Sequence, residues 1–118
     1  MHKLHELLRR LAEADVEFVL IGGYAAVIHG SAYVTNDVDV CAVLSPDNIE
    51  KIRRALADLN PVHRQSHRRL SFLQVPAPGQ SLQNLYLETT DGIVDIITSV
   101  LGVGDFARLR ERALRADV

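Results

Sequence analysis

The 118-residue sequence lacks several features that would assign it to a broad class of protein. Its single cysteine, Cys41, excludes a disulfide within the chain, as is usual in a reducing cytosol. No apolar run approaches the ~20 residues that a membrane-spanning helix needs, and Glu6 comes too early for a secretory signal peptide. The net charge of −2 argues against coating nucleic acid through bulk charge. These absences predict a cytoplasmic protein with no membrane segment.

The composition is that of an ordinary globular domain, with 47% hydrophobic and 24% charged residues. A chain of this length buries roughly 65% of the surface that its unfolded form exposes, enough for a hydrophobic core. It has no repeat and no low-complexity tract. We therefore expect residues 1–118 to form a single domain.

Hydrophobic periodicity and turn residues predict alternating helices and strands. The helix start at Ser45-Pro46-Asp47 is the clearest signal, with a capping hydroxyl, a proline and an acid in the first turn. The predicted elements are a helix from Leu4 to near Asp15, a strand over 17–21, a short helix over 24–29, a strand within 34–44, a helix from Ser45 to Asn60, a strand over 82–90, its partner over 93–98 and a last helix over 106–116. This order predicts an α+β fold of two layers, a mixed sheet with helices packed on it.

Two connections in this scheme are distinctive. Residues 62–81 are rich in basic residues and proline, and we expect a long loop with at most a short edge strand around Leu70–Leu73. Asp91-Gly92 is expected to form the tight turn of a hairpin between the two late strands.

The acidic pair Asp37 and Asp39 is the most informative feature of the chain. Side chains at i and i+2 point to the same face of a strand, with roughly 7 Å between their α-carbons. Two carboxylates so placed repel each other and raise each other's pKa. Because apolar residues surround the pair, we expect a cation between them, and a hard divalent ion with oxygen ligands is the natural candidate.

A third acid, Asp95, lies among strongly apolar residues in a predicted strand. A charge in such a run needs a partner or a ligand. Asp95 alone would suit a loop cap or an arginine partner. Three acids on neighbouring strands favour shared metal binding, and such a trio suits two Mg²⁺ ions about 3.5–4 Å apart in a phosphoryl-transfer site.

A glycine turn, Gly22-Gly23, precedes the acidic pair by about fourteen residues. Glycines between a strand and a helix allow backbone N–H groups to point at phosphate oxygens. Thr35 and Asn36, just before the acids, are further candidates for contact with a nucleotide, although capping of a turn explains them equally well.

These motifs resemble the signature of the DNA polymerase β-type nucleotidyltransferases, and most closely that of the bacterial minimal nucleotidyltransferases and abortive-infection toxins. The matching segments are Ile21-Gly22-Gly23-Tyr24-Ala25, His29-Gly30-Ser31, Thr35-Asn36-Asp37-Val38-Asp39-Val40 and Gly92-Ile93-Val94-Asp95-Ile96. These separated segments occur in the family's order, and the resemblance extends from about Phe18 to Phe106.

The resemblance implies a Mg²⁺- or Mn²⁺-dependent enzyme that moves a nucleoside monophosphate from an NTP to a hydroxyl. The acceptor hydroxyl would belong to a protein, an RNA end or a small molecule. By the family pattern, Gly22 and Gly23 contact the nucleotide phosphates, Asp37, Asp39 and Asp95 bind the metals, and Asp95 is the base. Small relatives often act within a toxin–antitoxin pair, which implies a cognate protein partner.

Three departures from the family pattern keep an alternative open. Relatives often have Ser where this chain has Gly23, frequently have Arg where it has Tyr33, and many continue past the last helix, whereas this sequence ends at Val118. The alternative is a weakly active or inactive protein of the same fold, acting as an antitoxin or regulatory binding module.

Two other features have open interpretations. The basic stretch His63–Arg69 is a candidate for gripping an anionic acceptor, a triphosphate or a nucleic acid, and a solvated loop is the competing interpretation. Cys41 shares the strand parity of Asp37 and Asp39, but a small buried side chain is the favoured interpretation. The oligomeric state and the base of the nucleotide have no sequence signal.

Overall fold

A mixed five-stranded sheet with two helices packed on it forms the centre of the protein. The computed structural model describes residues 2–21, 37–65, 67–100 and 104–107. The elements are α1 His2–Glu13, β1 Val19–Ile21, β2 Asp37–Cys41, α2 Pro46–Leu56 with a 3-10 turn Ala57–Leu59, β3 Val62–His63, β4 Asn84–Thr89, β5 Gly92–Ile97, β6 Ser99–Val100 and β7 Gly104–Asp105. The predicted α+β fold class is confirmed.

The sheet order is β1-β2-β5-β4-β3, and one pairing in it is parallel. Strands β2 and β5 run parallel, whereas β1 with β2, β5 with β4, and β4 with β3 are antiparallel. The parallel pair is central, so the two strands that carry the acids lie side by side. A separate two-stranded ribbon of β6 and β7, which the sequence does not predict, follows the sheet.

One face of the sheet packs against both helices and forms the core. Alternate residues of the three central strands are at most 1% exposed, and they pack with the apolar stripes of α1 and α2. The strand residues in this layer are Val38, Val40, Leu85, Leu87, Val94 and Ile96. Because side chains alternate along a strand, the residues between them, including all three acids, lie on the opposite face.

Helix α2 begins as its sequence predicts. The Ser45 side chain accepts a hydrogen bond from the Asn48 backbone N–H at 3.2 Å, and Pro46 occupies the first turn. The chain leaves the following 3-10 turn through Asn60, which has a left-handed φ of 51°. Asparagine tolerates this conformation, so the end of the helix near Asn60 is confirmed.

The hairpin between β4 and β5 is confirmed, but its turn lies one residue earlier than predicted. Thr89 pairs with Gly92, so the two loop residues are Thr90 and Asp91 rather than Asp91 and Gly92. Gly92 has a φ of 140°, a conformation that favours glycine, and it already belongs to β5. The Thr89 hydroxyl donates to the Gly92 carbonyl at 2.8 Å and holds the turn closed.

The segment 62–81 is anchored to the fold rather than forming a free loop. Val62 makes an isolated bridge with Ser71, as expected of a short edge pairing around Leu70–Leu73. Phe72 is fully buried, and the buried Arg53 of α2 donates from Nε to the Phe72 carbonyl at 2.8 Å. Arg53 also donates to the Pro76 carbonyl. These contacts fasten the segment to α2.

Some predicted elements fall outside the described residues or differ at their ends. The short helix over 24–29 and most of the helix over 106–116 lie outside the described ranges. The first strand begins at Val19 rather than at residue 17, and the strand expected from residue 82 begins at Asn84. Within the described part of the chain, no helix has the length and apolar character to cross a membrane.

Candidate metal centre

The three predicted acids come together on the face of the sheet opposite the helices. Asp37 and Asp39 lie two residues apart on β2, and Asp39 is the direct neighbour of Asp95 in the parallel pairing with β5. Adjacent strands lie about 4.8 Å apart, so this register sets the Asp39 and Asp95 backbones side by side. The prediction that two acids share one strand face, with the third on a neighbouring strand, is confirmed.

The carboxylates are close enough to share one cation. One oxygen from each of Asp37, Asp39 and Asp95 lies within 4.8 Å of the chosen oxygens of the other two. Asp37 and Asp39 are partly buried, and Asp95 is only 9% exposed. Hard divalent ions prefer such sets of carboxylate oxygens, with ligand distances of about 2.0–2.6 Å. The donor set therefore fits Mg²⁺, Mn²⁺ or Ca²⁺ better than softer ions.

At this point the sheet register places side chains of neighbouring strands in a row, and an arginine side chain lies at the end of the row. In the sheet register Asp39 neighbours Asp95, and Asp95 neighbours Tyr86 on β4. The backbone N–H of Arg64, just after β3, donates to the Tyr86 carbonyl at 3.0 Å. The Arg64 guanidinium lies 5.5 Å from the centre of the Tyr86 ring and reaches over it towards Asp95.

Arg64 makes a two-point contact with Asp95. Its Nε donates to Oδ1 at 3.0 Å, and its Nη2 donates to Oδ2. Such paired charge-assisted hydrogen bonds are among the strongest that side chains form. The structure therefore confirms an arginine partner for Asp95, and it does so within the cluster of three acids.

Within the described residues, burial and neighbouring charges shift the pKa values of Asp39 and Arg64. Burial is the main cause that raises the pKa of Asp39, and the charges of Asp37 and Asp95 raise it further. Arg64 opposes this shift. The pKa of Arg64 is itself raised, first by its hydrogen bond to Asp95 and then by the charges of the other two acids. Arg64 thus stays charged while it compensates one of three negative charges.

The remaining predicted site residues have different outcomes. The nucleotide-binding candidates Gly22, Gly23, Thr35 and Asn36 lie outside the described residues, so they stay predictions. Cys41 is fully buried, which confirms its interpretation as a buried side chain, and burial raises the pKa of its thiol.

The basic stretch His63–Arg69 is partly compensated within the chain. Arg69 donates to the exposed carboxylate of Glu88 at 2.7 Å, and Arg64 is held by Asp95. His63 Nε2 lies 2.6 Å from the Val75 carbonyl oxygen. This stretch is therefore not a continuous row of uncompensated charges, and Arg64 is the member that faces the acids.

Sequence reasoning did not single out Arg64 from its neighbours. A signal does exist in the alternation of the strand: Arg64 follows Val62 at the end of β3, so it shares that residue's strand parity, whereas His63 does not. Arg64 and Asp95 are 31 positions apart in the sequence, and no local pattern specifies the pairing of β3 with β4 that aims Arg64 at Asp95.

The chain matches no protein-family model, no curated protein and no solved structure. The site must therefore be interpreted from its own residues and geometry.

Proposed function

We propose that this protein is a Mg²⁺- or Mn²⁺-dependent nucleotidyltransferase that moves a nucleoside monophosphate from an NTP to a hydroxyl and releases pyrophosphate. One observation carries the proposal: Asp37, Asp39 and Asp95 converge, with oxygens within 4.8 Å of one another. The sequence resemblance supplies the reaction class, because the same three acids fill the metal-binding positions of that family's pattern. A cytoplasmic location belongs to the same proposal.

The chain's own residues divide the work in this reaction. Asp37, Asp39 and Asp95 would hold the metal, which would stabilise the charge of the transferring phosphoryl group and favour an ionised acceptor hydroxyl. The sheet fixes the acids before any ligand arrives, because β2 and β5 pair along their whole described lengths. Such preorganised positions avoid reorganisation during the reaction.

The role of Asp95 as base depends on Arg64. Both Asp95 oxygens accept hydrogen bonds from the Arg64 guanidinium, so Arg64 competes with the acceptor's proton for this carboxylate. Release of Arg64 from at least one oxygen would therefore favour the role of Asp95 as base.

Metal and nucleotide binding give the first test. Wild-type protein and the Asp37→Asn/Asp39→Asn double variant are titrated with MnCl₂, then with a non-hydrolysable ATP or GTP analogue at saturating Mn²⁺. Asp15→Asn is the matched control, since Asp15 is exposed and its left-handed φ of 64° suits asparagine. We expect the double variant to lose both kinds of binding and the control to keep them. Equal binding by all three proteins removes the proposal.

Group transfer gives the second test. Wild-type protein is incubated with α-³²P-labelled NTPs, Mg²⁺ or Mn²⁺ and a bacterial extract that supplies protein, RNA and small-molecule acceptors. We expect label to move to one acceptor class in the wild type and in Asp15→Asn, and not in Asp39→Asn. Mass spectrometry of labelled proteins then identifies additions with the mass of a nucleoside monophosphate. Label transfer that persists in Asp39→Asn contradicts the proposal.

A second function is favoured by a specific observation, the Arg64–Asp95 contact. Because Arg64 satisfies the most buried acid without a metal, the same fold can serve as a binding module without catalysis. Its partner would be a cognate toxin or antitoxin protein. Absence of metal binding and of transfer, together with a tight complex with a protein made from the adjacent gene, would favour this function.

A nucleic-acid acceptor remains part of the first proposal rather than a separate function. Arg64 and Arg69 are engaged by Asp95 and Glu88, which weakens the case for a nucleic-acid binder that acts through residues 63–69. Binding through this stretch would fall steeply as salt rises, because phosphate contacts release counterions. An RNA affinity that does not change with salt would exclude it.

A further inference from the structure

We propose that Arg64 is the internal counter-ion of the acidic cluster, and that it moves from Asp95 to a phosphate of the nucleotide when metal and nucleotide bind. This inference rests on the proposed function and assigns a nucleotide-positioning role to a residue outside the acidic motifs. Four observations support it: the two-point contact with Asp95, the anchored backbone of Arg64, the exposure of its side chain, and the different roles of the other arginines with described contacts.

The first step is competition for the same oxygens. Arg64 occupies both oxygens of Asp95, and Asp95 is one of the three acids that can share a cation. A metal ion that binds an Asp95 oxygen therefore competes with Arg64 for the same carboxylate. The divalent ion would supply positive charge where the guanidinium leaves, so the Asp95 carboxylate has a cationic partner before and after metal binding.

The second step concerns where Arg64 goes. Its backbone N–H is fixed to the Tyr86 carbonyl at 3.0 Å, so its α-carbon stays at the edge of the sheet two strands away from Asp95. The side chain is 28% exposed and lies over the Tyr86 ring, which leaves the guanidinium room to turn outward. A released guanidinium would therefore remain beside the acidic cluster.

The third step is the chemistry of its new partner. A metal held by the acids brings the phosphates of an NTP to the same place, because such ions bridge carboxylates and phosphate oxygens. The planar guanidinium fork binds two phosphate oxygens as well as it binds a carboxylate. A nucleotide phosphate is thus the anion best suited to receive Arg64 after Asp95 is released.

The other arginines with described contacts in this half of the chain have different roles. Arg53 is buried and donates to the carbonyls of Phe72 and Pro76, and Arg69 pairs with Glu88 at the surface. Arg64 is the arginine whose charge acts on Asp39. Of these three arginines, Arg64 is therefore the one placed to serve the site.

The proposal is tested by measuring the affinities for Mn²⁺ and for the nucleotide, which it predicts to change in opposite directions. Arg64→Met removes the charge and keeps a side chain of similar length, Arg64→Lys keeps the charge without the fork, and Arg69→Met is the matched control. Affinity for MnCl₂ alone is measured by electron paramagnetic resonance. Affinity for a non-hydrolysable ATP or GTP analogue is measured at saturating Mn²⁺.

We expect Arg64→Met to bind Mn²⁺ about tenfold more tightly, because no guanidinium competes for Asp95. We expect it to bind the Mn²⁺–nucleotide about tenfold more weakly, because a charged hydrogen-bond contact with phosphate is lost. Arg64→Lys should lie between wild type and Arg64→Met in both assays, and Arg69→Met should equal wild type. A structural defect would weaken both affinities together, so that result overturns the proposal. Unchanged Mn²⁺ affinity overturns it as well, and tighter Mn²⁺ binding with unchanged nucleotide binding overturns the transfer to phosphate.

The same titrations separate this inference from the proposed function. If wild type binds Mn²⁺ through the acids and Arg64→Met behaves like wild type, the counter-ion role is wrong and the nucleotidyltransferase proposal stands. If neither protein binds Mn²⁺, both fall. If only Arg64→Met binds Mn²⁺, the counter-ion role is supported, and the metal-dependent activity of the wild type is contradicted.

Discussion

Replacing Asp39 by asparagine should stabilise the metal-free protein, although the residue belongs to the proposed active site. Asp39 is placed between two other acids, Asp37 along its own strand and Asp95 on the next. Asparagine has nearly the same shape and no charge. The substitution therefore removes repulsion without opening a cavity.

The magnitude follows from the spacing of the charges. One carboxylate oxygen of Asp37 lies within 4.8 Å of one of Asp39, which corresponds to a repulsion of about 3 kcal/mol at an effective dielectric constant of about 20. The repulsion between Asp39 and Asp95 is partly offset, because Arg64 is held against Asp95. Partial exposure of Asp39 to water screens what remains, so we expect a gain in the free energy of unfolding of about 1 kcal/mol.

Thermal unfolding in a chelating buffer at pH 7 measures this gain. About 1 kcal/mol should raise the Tm of Asp39→Asn by about 4 °C in a domain of this size. Asp15→Asn should leave the Tm within about 1 °C, because Asp15 is exposed and outside the cluster. Adding Mg²⁺ should reduce the difference in Tm between Asp39→Asn and wild type, since the wild-type protein is stabilised by about 1.4 kcal/mol when free metal is tenfold above its Kd.

The pH dependence has a definite sign. Burial and the neighbouring acids raise the pKa of Asp39 above its ordinary value of 3.8, so the folded protein binds this proton more readily than the unfolded chain does. The stabilising contribution of that proton is complete below pH 3.8 and is lost as the pH rises through the folded-state pKa. The advantage of Asp39→Asn should therefore shrink as the pH falls from 7 towards 4.5. A lower Tm for Asp39→Asn than for wild type in chelator at pH 7 would refute the reasoning.

Three further substitutions test the anchoring of the fold by urea unfolding. Arg53→Met should lower the free energy of unfolding by about 2–3 kcal/mol, because the Phe72 and Pro76 carbonyls lose a charged donor. The control Arg54→Met, at an exposed position, should cost less than about 0.5 kcal/mol. Equal effects of the two substitutions would contradict the anchoring role of Arg53. Phe72→Ala should cost about 3–4 kcal/mol, since Phe72 is fully buried, and a loss below 1 kcal/mol would mean that this segment does not pack on the core in solution. Ser45→Ala should cost about 1 kcal/mol by removing the cap of α2, and Ser45→Asp should restore it.

The parts of the fold that follow from local periodicity could be predicted from the sequence. The common face of Asp37 and Asp39 needs only the alternation of a strand, and the start of α2 at Ser45 needs only its cap and proline. The sequence motifs predict that Asp95 lies on a neighbouring strand. Its pairing with Asp39, residue against residue, depends on the register of a parallel ladder between distant segments, which no local pattern specifies.

The segment 62–81 shows where local reasoning fails. Its prolines and basic residues predict an open loop, yet Phe72 is fully buried and its carbonyl is bonded to Arg53. The sequence signal for this anchored segment is Arg53 itself. It lies next to Ile52 and one turn from Ile49 on the buried side of α2, and a charge at such a position requires a partner. That partner is the backbone of the segment, which only the folded chain brings into reach.

Arg64 explains how three acids can share one face of a folded sheet without a metal. The helices need only the opposite face of β5, where Val94 and Ile96 form the core, so packing does not require an acid at position 95. Asp95 nevertheless lies next to Asp39 and raises its pKa, a cost that Arg64 only partly offsets. Arg64 thus partners Asp95, the most buried of the three acids, and Asp37 and Asp39 complete a set of carboxylate oxygens that suits a divalent cation.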